Sequence, residues 1–319
     1  MNSILSFLAA AIRLATPIAL ATLACTISEK AGVINIGIEG IMTGGAFSAA
    51  LVTFLTGNPW IGVLSGILVG ILFAGVIAIL SIYCGGDQVV IGIGLNLLVP
   101  GLSYLIMLRV WGNRGTSPWL NGFSAVDIPV IRHIPVIGDL ISGHNPCVYL
   151  CILVTILLHF VIHKTQYGLR VRAAGENPVA LQTVGINVFR LRTSAVLIGG
   201  AMAGLSGASL SIGQLNIFTN GMSANMGFLA FAANRFGQFT PFGSYLTSFL
   251  FGAMQALQIR MQGQSIPPQF MTMLPYVVTL FVLMLIGRRI RIPASDGVAY
   301  PHPISVRYKE KIETAEDED

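Results

Sequence analysis

An all-α fold, a polytopic bundle of transmembrane helices, is predicted by three observations. Charged residues make up only 10% of the chain, 54% are hydrophobic and the mean hydropathy is +0.76, whereas an average soluble domain is about 25% charged. Apolar runs recur at about 20 residues, the length that crosses about 30 Å of hydrocarbon. Short segments rich in Gly, Pro, Asn and basic residues punctuate them. A length of 319 residues would allow about two soluble domains, but the apolar runs leave room for none. The expectation is about eight to ten spans, with a broken, Gly-rich helix near 31–55.

Residues 4–24 are long enough to cross. Arg13 interrupts them, so Ile4 to Ile12 is expected along the interface, with the crossing beginning near Leu14. Met1 to Ser3 lacks the basic start of a cleavable signal, and the first span is expected to stay. Ser28, Glu29 and Lys30 mark a turn. Ala31 to Leu55 carries Gly32, Gly37, Gly40, Gly44 and Gly45. That composition suits a broken or re-entrant helix sheltered by protein, because irregular backbone is not tolerated against lipid. Residues 57–59 turn the chain, and Trp60 sits as an interfacial anchor.

Ile61 to Tyr83 is a clean span, residues 84–88 turn, and Val89 to Met107 crosses back. Trp111 to Asn145 is the longest connection. Arg114, Arg132, Asp127 and Asp139 cancel there, and Pro118, Pro129, Pro135 and Pro146 oppose a regular helix. Pro146 to Ile162 leads into a cationic central segment. Beyond it, Thr193 to Ile212 bears Gly200, Gly204 and Ala208 at four-residue steps, a stripe that lets helices approach closely. Residues 222–234 are short for a span, but parity requires them to cross. Residues 243–259 and 271–286 are clear spans, and Arg288 to Arg291 marks another cytoplasmic end. Nine crossings, with 31–55 crossing once, put the N-terminus outside. Residues 1–292 thus form the membrane domain, and 293–319, ending in GluAspGluAsp, a solvated, unstructured cytoplasmic tail.

The polar segment 163–192 holds Lys164, Arg170, Arg172, Arg190 and Arg192 against the single carboxylate Glu176. Cationic short loops stay cytoplasmic. Within it, Asn177 can cap a helix, Pro178 fits its first position and Gly185 suits its left-handed end. Two turns are too short to be stable alone, so this helix is either docked on something or part of an ordinary interhelical loop.

The residues around that helix, GlyGluAsnProValAla at 175–180 and GlyIleAsn at 185–187 with Arg172 and Ala173 upstream, resemble the coupling loop of bacterial ABC-importer permeases. The branch is the branched-chain amino acid, ribose and nucleoside type, nearest its simple-sugar and nucleoside permeases. In the same order come ThrProIleAla at 16–19, GlyValIleAsnIleGlyIleGluGly at 32–40, LeuSerIleGlyGlnLeu at 210–215, AlaLeuGlnIleArg at 256–260 and GlnPheMetThrMetLeuProTyr at 269–276. The likeness covers roughly 14–292. It implies a multi-pass subunit of the bacterial inner membrane. Its partners would be a homologous permease subunit (a heterodimer), ABC ATPase subunits on the cytoplasmic face and an extracytoplasmic substrate-binding lipoprotein. It also implies that Gly175, Glu176, Asn177, Pro178, Ala180 and Gly185 couple to the ATPase, which alone uses ATP and Mg; this chain binds no cofactor itself.

No nucleotide-binding loop is present: residues 85–94 carry glycines but no Lys-Ser/Thr pair. No catalytic set appears in a polar pocket. Cys25, Cys84, Cys147 and Cys151 have no His or carboxylate to complete a metal site. His159 and His163, at a helix end beside Lys164, are read as interfacial. Polar groups at membrane depth are the pathway candidates: Asn35, Glu39 on the same helical face, Asn96, Gln214, Asn216 and the following Phe218, with Gln255 and Gln258 as further amides. Each amide could equally bridge helices, and Glu39 could cap a broken helix. Neutral amides and aromatics suit a neutral ring-bearing solute: a nucleoside foremost, riboflavin or a simple sugar next. The competing reading is a proton-coupled secondary transporter using Glu39.

Overall fold

The computed structural model describes residues 2–113, 115–126, 142–261, 273, 277–281, 284 and 290–300. Within these residues the fold is helical and contains no strands. The helices are α1 (Asn2–Lys30), α2 (Ile38–Thr56), α3 (Pro59–Ala78), α4 (Gln88–Trp111), α5 (Pro146–Lys164), α6 (Gln166–Glu176), α7 (Pro178–Thr183), α8 (Val188–Ala208), α9 (Met226–Phe236) and α10 (Pro241–Met261). Both α3 and α8 continue as π-helical turns, Ile79–Tyr83 and Ser209–Leu215. Six of these helices, α1 to α5 and α8, are long and apolar enough to cross a bilayer.

Helix starts follow local chemistry. The side chains of Asn58, Asp87, Asn145, Thr165, Asn177 and Asn187 each accept a backbone N–H of the following turn, which satisfies a donor the helix itself leaves unpaired. Pro59, Pro146 and Pro178 occupy first positions, where a missing N–H costs nothing.

Helices α1, α3 and α5 run toward the end of the bundle that carries α6 and α7, and α2, α4 and α8 run away from it. At that end, Gly175 lies against the Lys30 carbonyl, Ile34 N donates to Gln88 Oε1 at 2.8 Å, and Tyr83 stacks on Phe189. At the opposite end Gln214 Nε2 donates to the Arg13 carbonyl, and Trp60 meets Phe123 edge-on.

The α3–α8 crossing is a glycine seam. A Cβ on Gly70 would lie 2.2 Å from the Gly200 carbonyl oxygen, and one on Gly204 would lie 2.2 Å from that of Gly66. No side chain fits between these backbones, so the expected small-residue stripe is a true contact surface. The α1–α10 contact joins one such approach, Gly252 against Ala11 O, to a run of hydroxyls: Ser248 Oγ donates to Thr22 Oγ1 at 2.9 Å, and Thr26 Oγ1 lies 2.9 Å from Ser244 Oγ.

Several expectations are corrected. Helix α1 runs unbroken through Arg13, and Ser28, Glu29 and Lys30 form its last turn rather than a loop. A charge at an exposed position can sit at the rim without ending the helix. The broken helix foreseen over 31–55 is not observed as such: residues 31–37 are irregular and α2 then continues without interruption. Residues 166–176, read as loop, form α6. The stretch 222–234 is helical only from Met226, in the 11-residue α9 that runs on to Phe236, about 16 Å at 1.5 Å per residue. Residues 293–300 pack on the bundle instead of trailing in solvent: Ser295 N donates to the Gly175 carbonyl at 2.7 Å. Most of the 271–286 span, much of 111–145 and the tail from 301 lie outside the described residues.

The seam makes a prediction. Gly204→Val should lower detergent-state thermal stability by about 1–3 kcal/mol, the scale of core overpacking. Gly94→Ala, where an added Cβ meets nothing within 4 Å, should be neutral or slightly stabilising by up to about 1 kcal/mol. Size-exclusion melting curves would compare the two.

Candidate functional site

The hairpin of α6 and α7 is built from capping geometry at one end of the bundle. Asn177 closes α6, with its N–H donating to Ala173 O at 2.8 Å, and opens α7 by accepting Ala180 N at 3.1 Å. At the far end Gly185 takes φ +80°. Its N–H reaches Gln182 O at 2.9 Å, and Ile186 N reaches Leu181 O at 3.1 Å. This is a Schellman termination, with Leu181 buried and Ile186 packed on the same cluster. Among the six expected coupling residues, Gly175 is buried, where a Cβ would sit 2.3 Å from Lys30 O. Glu176, Asn177, Ala180 and Gly185 are exposed and Pro178 is half-buried. Val179 and Val184 are 59% and 70% exposed and were missed. Their signal was two valines on a polar, cationic segment with nothing apolar left to cover them.

Beneath the hairpin lies a buried charged layer, also missed. Glu29 is fully buried: Asn234 Nδ2 donates to its Oε1 at 3.2 Å, and Arg235 Nη2 is 4.0 Å from its Oε2. Asp296 closes the layer from the C-terminal segment. Burial pushes its carboxyl up to about 6, outweighing the opposite pull of Arg235 and Arg192. A raised carboxyl pKa means that the packed segment favours the protonated form, a contribution lost as pH rises through about 6.

The six expected pathway residues do not converge on one cavity. Glu39 caps α9. Its Oε1 accepts Ser223 Oγ at 2.5 Å and Asn225 N at 3.1 Å, and its Oε2 accepts Gly227 N at 2.6 Å. A carboxylate over a helix N-terminus satisfies orphan donors and the helix dipole together. Asn96 does the equivalent for α2, accepting Gly40 N at 2.7 Å and donating to Ile36 O at 3.0 Å. Asn35 is buried, its amide without a hydrogen-bond partner among the described residues. Asn216 and Phe218 instead hold the long connection at the opposite end. Leu120 N donates to Asn216 O at 2.9 Å and Ser117 N to Phe218 O at 2.8 Å, while the Phe218 ring is fully buried against Phe47.

Gln214 alone borders open space. Two adjoining cavities of about 410 and 360 Å³ share Leu14, Gln214, Leu215 and Ile259. The first extends to Arg13 and Asn145, the second to Asn225, Gln255 and Gln258. Gln255 and Gln258 share a helical face, and Asn225 reaches the same cavity from the turn before α9. An amide buried without a hydrogen-bond partner is costly. This side of α10 therefore calls for water, solute or protein to pair with.

The Glu39 cap can be tested directly. Glu39→Gln exchanges an acceptor oxygen for an amide that faces backbone donors. It should weaken the start of α9 by about 2 kcal/mol, the scale of a hydrogen bond to a charged group. Faster amide exchange across 223–230 would register the loss.

The family model described as branched-chain amino acid transport system / permease component matches residues 7–284. The chain is 36% identical to the nucleoside ABC transporter permease protein NupC of Lactococcus lactis, covering 89% of this chain and 93% of that one. It is 33% identical to the guanosine ABC transporter permease protein NupQ of Bacillus subtilis, covering 90% and 93%. A solved structure of a metal-chelate type ABC transporter in an inward-facing conformation shares the fold at a TM-score of 0.53 and 12% identity, over 88% of this chain and 85% of that one.

Proposed function

The chain belongs to the branched-chain amino acid transport system / permease component family, and from that premise we propose that it is the solute-conducting subunit of an ATP-driven importer of a nucleoside. As a multi-pass ABC permease it carries no ATPase of its own. Separate ATPase chains would supply the energy, a homologous permease would complete a heterodimer, and a lipoprotein outside would deliver the solute. ATP-driven closure of the motor would act on the α6–α7 hairpin and alternate access between the two faces.

The observation that carries this reading is the hairpin. It is a short helix fixed at both ends by side-chain and Schellman caps, with Val179, Ala180 and Val184 turned outward and Arg170 and Arg190 exposed nearby. Apolar contacts ringed by cations suit a groove on an acidic partner. The groove lined by Gln214, Asn225, Gln255 and Gln258 on one side and by Leu14, Met222, Leu229 and Ile259 on the other supports a neutral solute that hydrogen-bonds at one edge and rests on apolar side chains at another. The name of each nucleoside relative points to the same chemistry. The Glu39 contacts weigh against the proton-coupled alternative, because both oxygens are already committed to three donors.

Nine crossings fit best, with the N-terminus outside. The segment 216–236 would make the seventh, irregular down to the level of Glu39 and helical beyond it. Asn234 meets Thr26 and Arg235 meets Glu29 near the hairpin end, so α9 spans only the inner half of this crossing. Helix α10 and the 271–286 span would complete the count.

Ala180→Trp should leave the bundle folded, abolish co-purification of the ATPase chains and lower uptake by about tenfold or more, the scale of a lost interface anchor. Collapse of the proton gradient at constant ATP should spare uptake in the unaltered protein. Retained uptake without an associated ATPase would sink the importer reading. Gln255→Leu with Gln258→Leu should cut nucleoside uptake by about tenfold while ATPase association persists, as expected when amides that pair with the solute are removed.

A further inference from the structure

We propose that residues 293–300 are a clasp that positions the α6–α7 hairpin, so that the C-terminal segment belongs to the coupling apparatus. This rests on the reading of the hairpin as the site that receives the ATPase. A helix leaves its last carbonyls without intrahelical donors, and α6 finds donors for its last two in the clasp. Ser295 N donates to Gly175 O at 2.7 Å and Ser295 Oγ to Glu176 O at 3.4 Å. The clasp is itself held by Arg192, a residue 2% exposed whose Nη1 donates to Val298 O at 3.0 Å. The same guanidinium reaches Ala174 O at 3.5 Å. One buried cation therefore ties clasp and hairpin together.

The far end of the clasp grips the second helix of the hairpin. Tyr300 donates its hydroxyl to Gln182 Oε1 on α7, and its ring lies edge-on to Phe189 and near the Arg192 guanidinium. On its other side the clasp touches the irregular segment before α2. The Ser295 carbonyl lies 2.9 Å from where a Gly32 side chain would begin, and Gly297, at φ +75°, leaves room only for Ile34. That segment leads directly into the turn bearing Glu39. The clasp thus contacts both helices of the hairpin and the backbone that leads into α2. A free tail would have none of these contacts, and packing alone would not place its donors on successive terminal carbonyls of one helix.

The test compares Ser295→Pro, which removes the N–H that Gly175 accepts, with Ser295→Ala, which keeps it. Tyr300→Ala disturbs the other end and serves should the proline variant fail to fold. Each is assembled with its partner chains in liposomes. The measurements are ATPase retention, solute taken up per ATP hydrolysed, and amide exchange over 171–183. The expected result for Ser295→Pro and Tyr300→Ala is retained ATPase, uptake per ATP lowered about fivefold and faster exchange in the hairpin. Ser295→Ala should stay within about twofold of the unaltered protein. Unchanged coupling and exchange in the first two variants would overturn the clasp. So would loss of ATPase retention, which would make these residues docking surface. If the unaltered chain retains no ATPase, the importer reading fails instead, and amide exchange on the permease alone still decides the clasp.

Discussion

The carboxylate of Glu39 and the three donors it receives are the interaction on which the interior of this bundle depends. A helix satisfies its own backbone in lipid, and any irregular stretch must find partners elsewhere. The described residues include two such stretches that meet at one side chain, one before α2 and one before α9. Glu39, in the first turn of α2, serves the second, and Asn96 and Gln88 serve the first from α4. Without these polar side chains, neither interruption would be affordable inside an apolar bundle. The first reaches in from the hairpin end and the second from the opposite end, and the two meet at the Glu39 carboxylate.

Much of this was legible in the sequence, and the reasons differ by element. The uninterrupted spans α3, α4 and α5 were visible because hydropathy and length alone specify a membrane helix. The hairpin was visible because its ends are governed by local rules: Asn177, Pro178 and Gly185 each mean one thing in one position. The Gly200–Gly204 stripe was legible as a close crossing, although its partner, Gly66–Gly70 on α3, was not. Spacing reports a face and does not name what covers it.

What escaped depended on tertiary partners. Glu39, Asn96 and Asn216 were recognisable as polar groups at depth, but a residue that caps a distant helix and one that lines a path look alike in one dimension. The donors Asn225 and Gly227 lie about 190 residues downstream. The break at 31–37 was placed within a broader Gly-rich window because most of those glycines serve close packing: Gly44 and Gly45 face Phe73 and Gly204. Helix α6 was hidden by its own charge, since Arg170 and Arg172 at its surface mask the buried Val171 and Ala174. The docked C-terminal segment was hidden for the opposite reason, as its hold is by main-chain carbonyls, which carry no residue signature.

The two faces of α1 and α8 differ in how they can yield. Where α8 meets α3, main chain rests on main chain, and no rotamer can turn aside to admit a shift. Where α1 meets α10, Thr22 and Thr26 face Ser248 and Ser244 beyond a single close approach at Gly252, and a hydroxyl can trade one acceptor for the next at little cost. A body assembled this way yields more readily over that hydroxyl stretch than along the α3–α8 seam, and the serines of that stretch sit on the helix whose Gln255 and Gln258 line the amide groove.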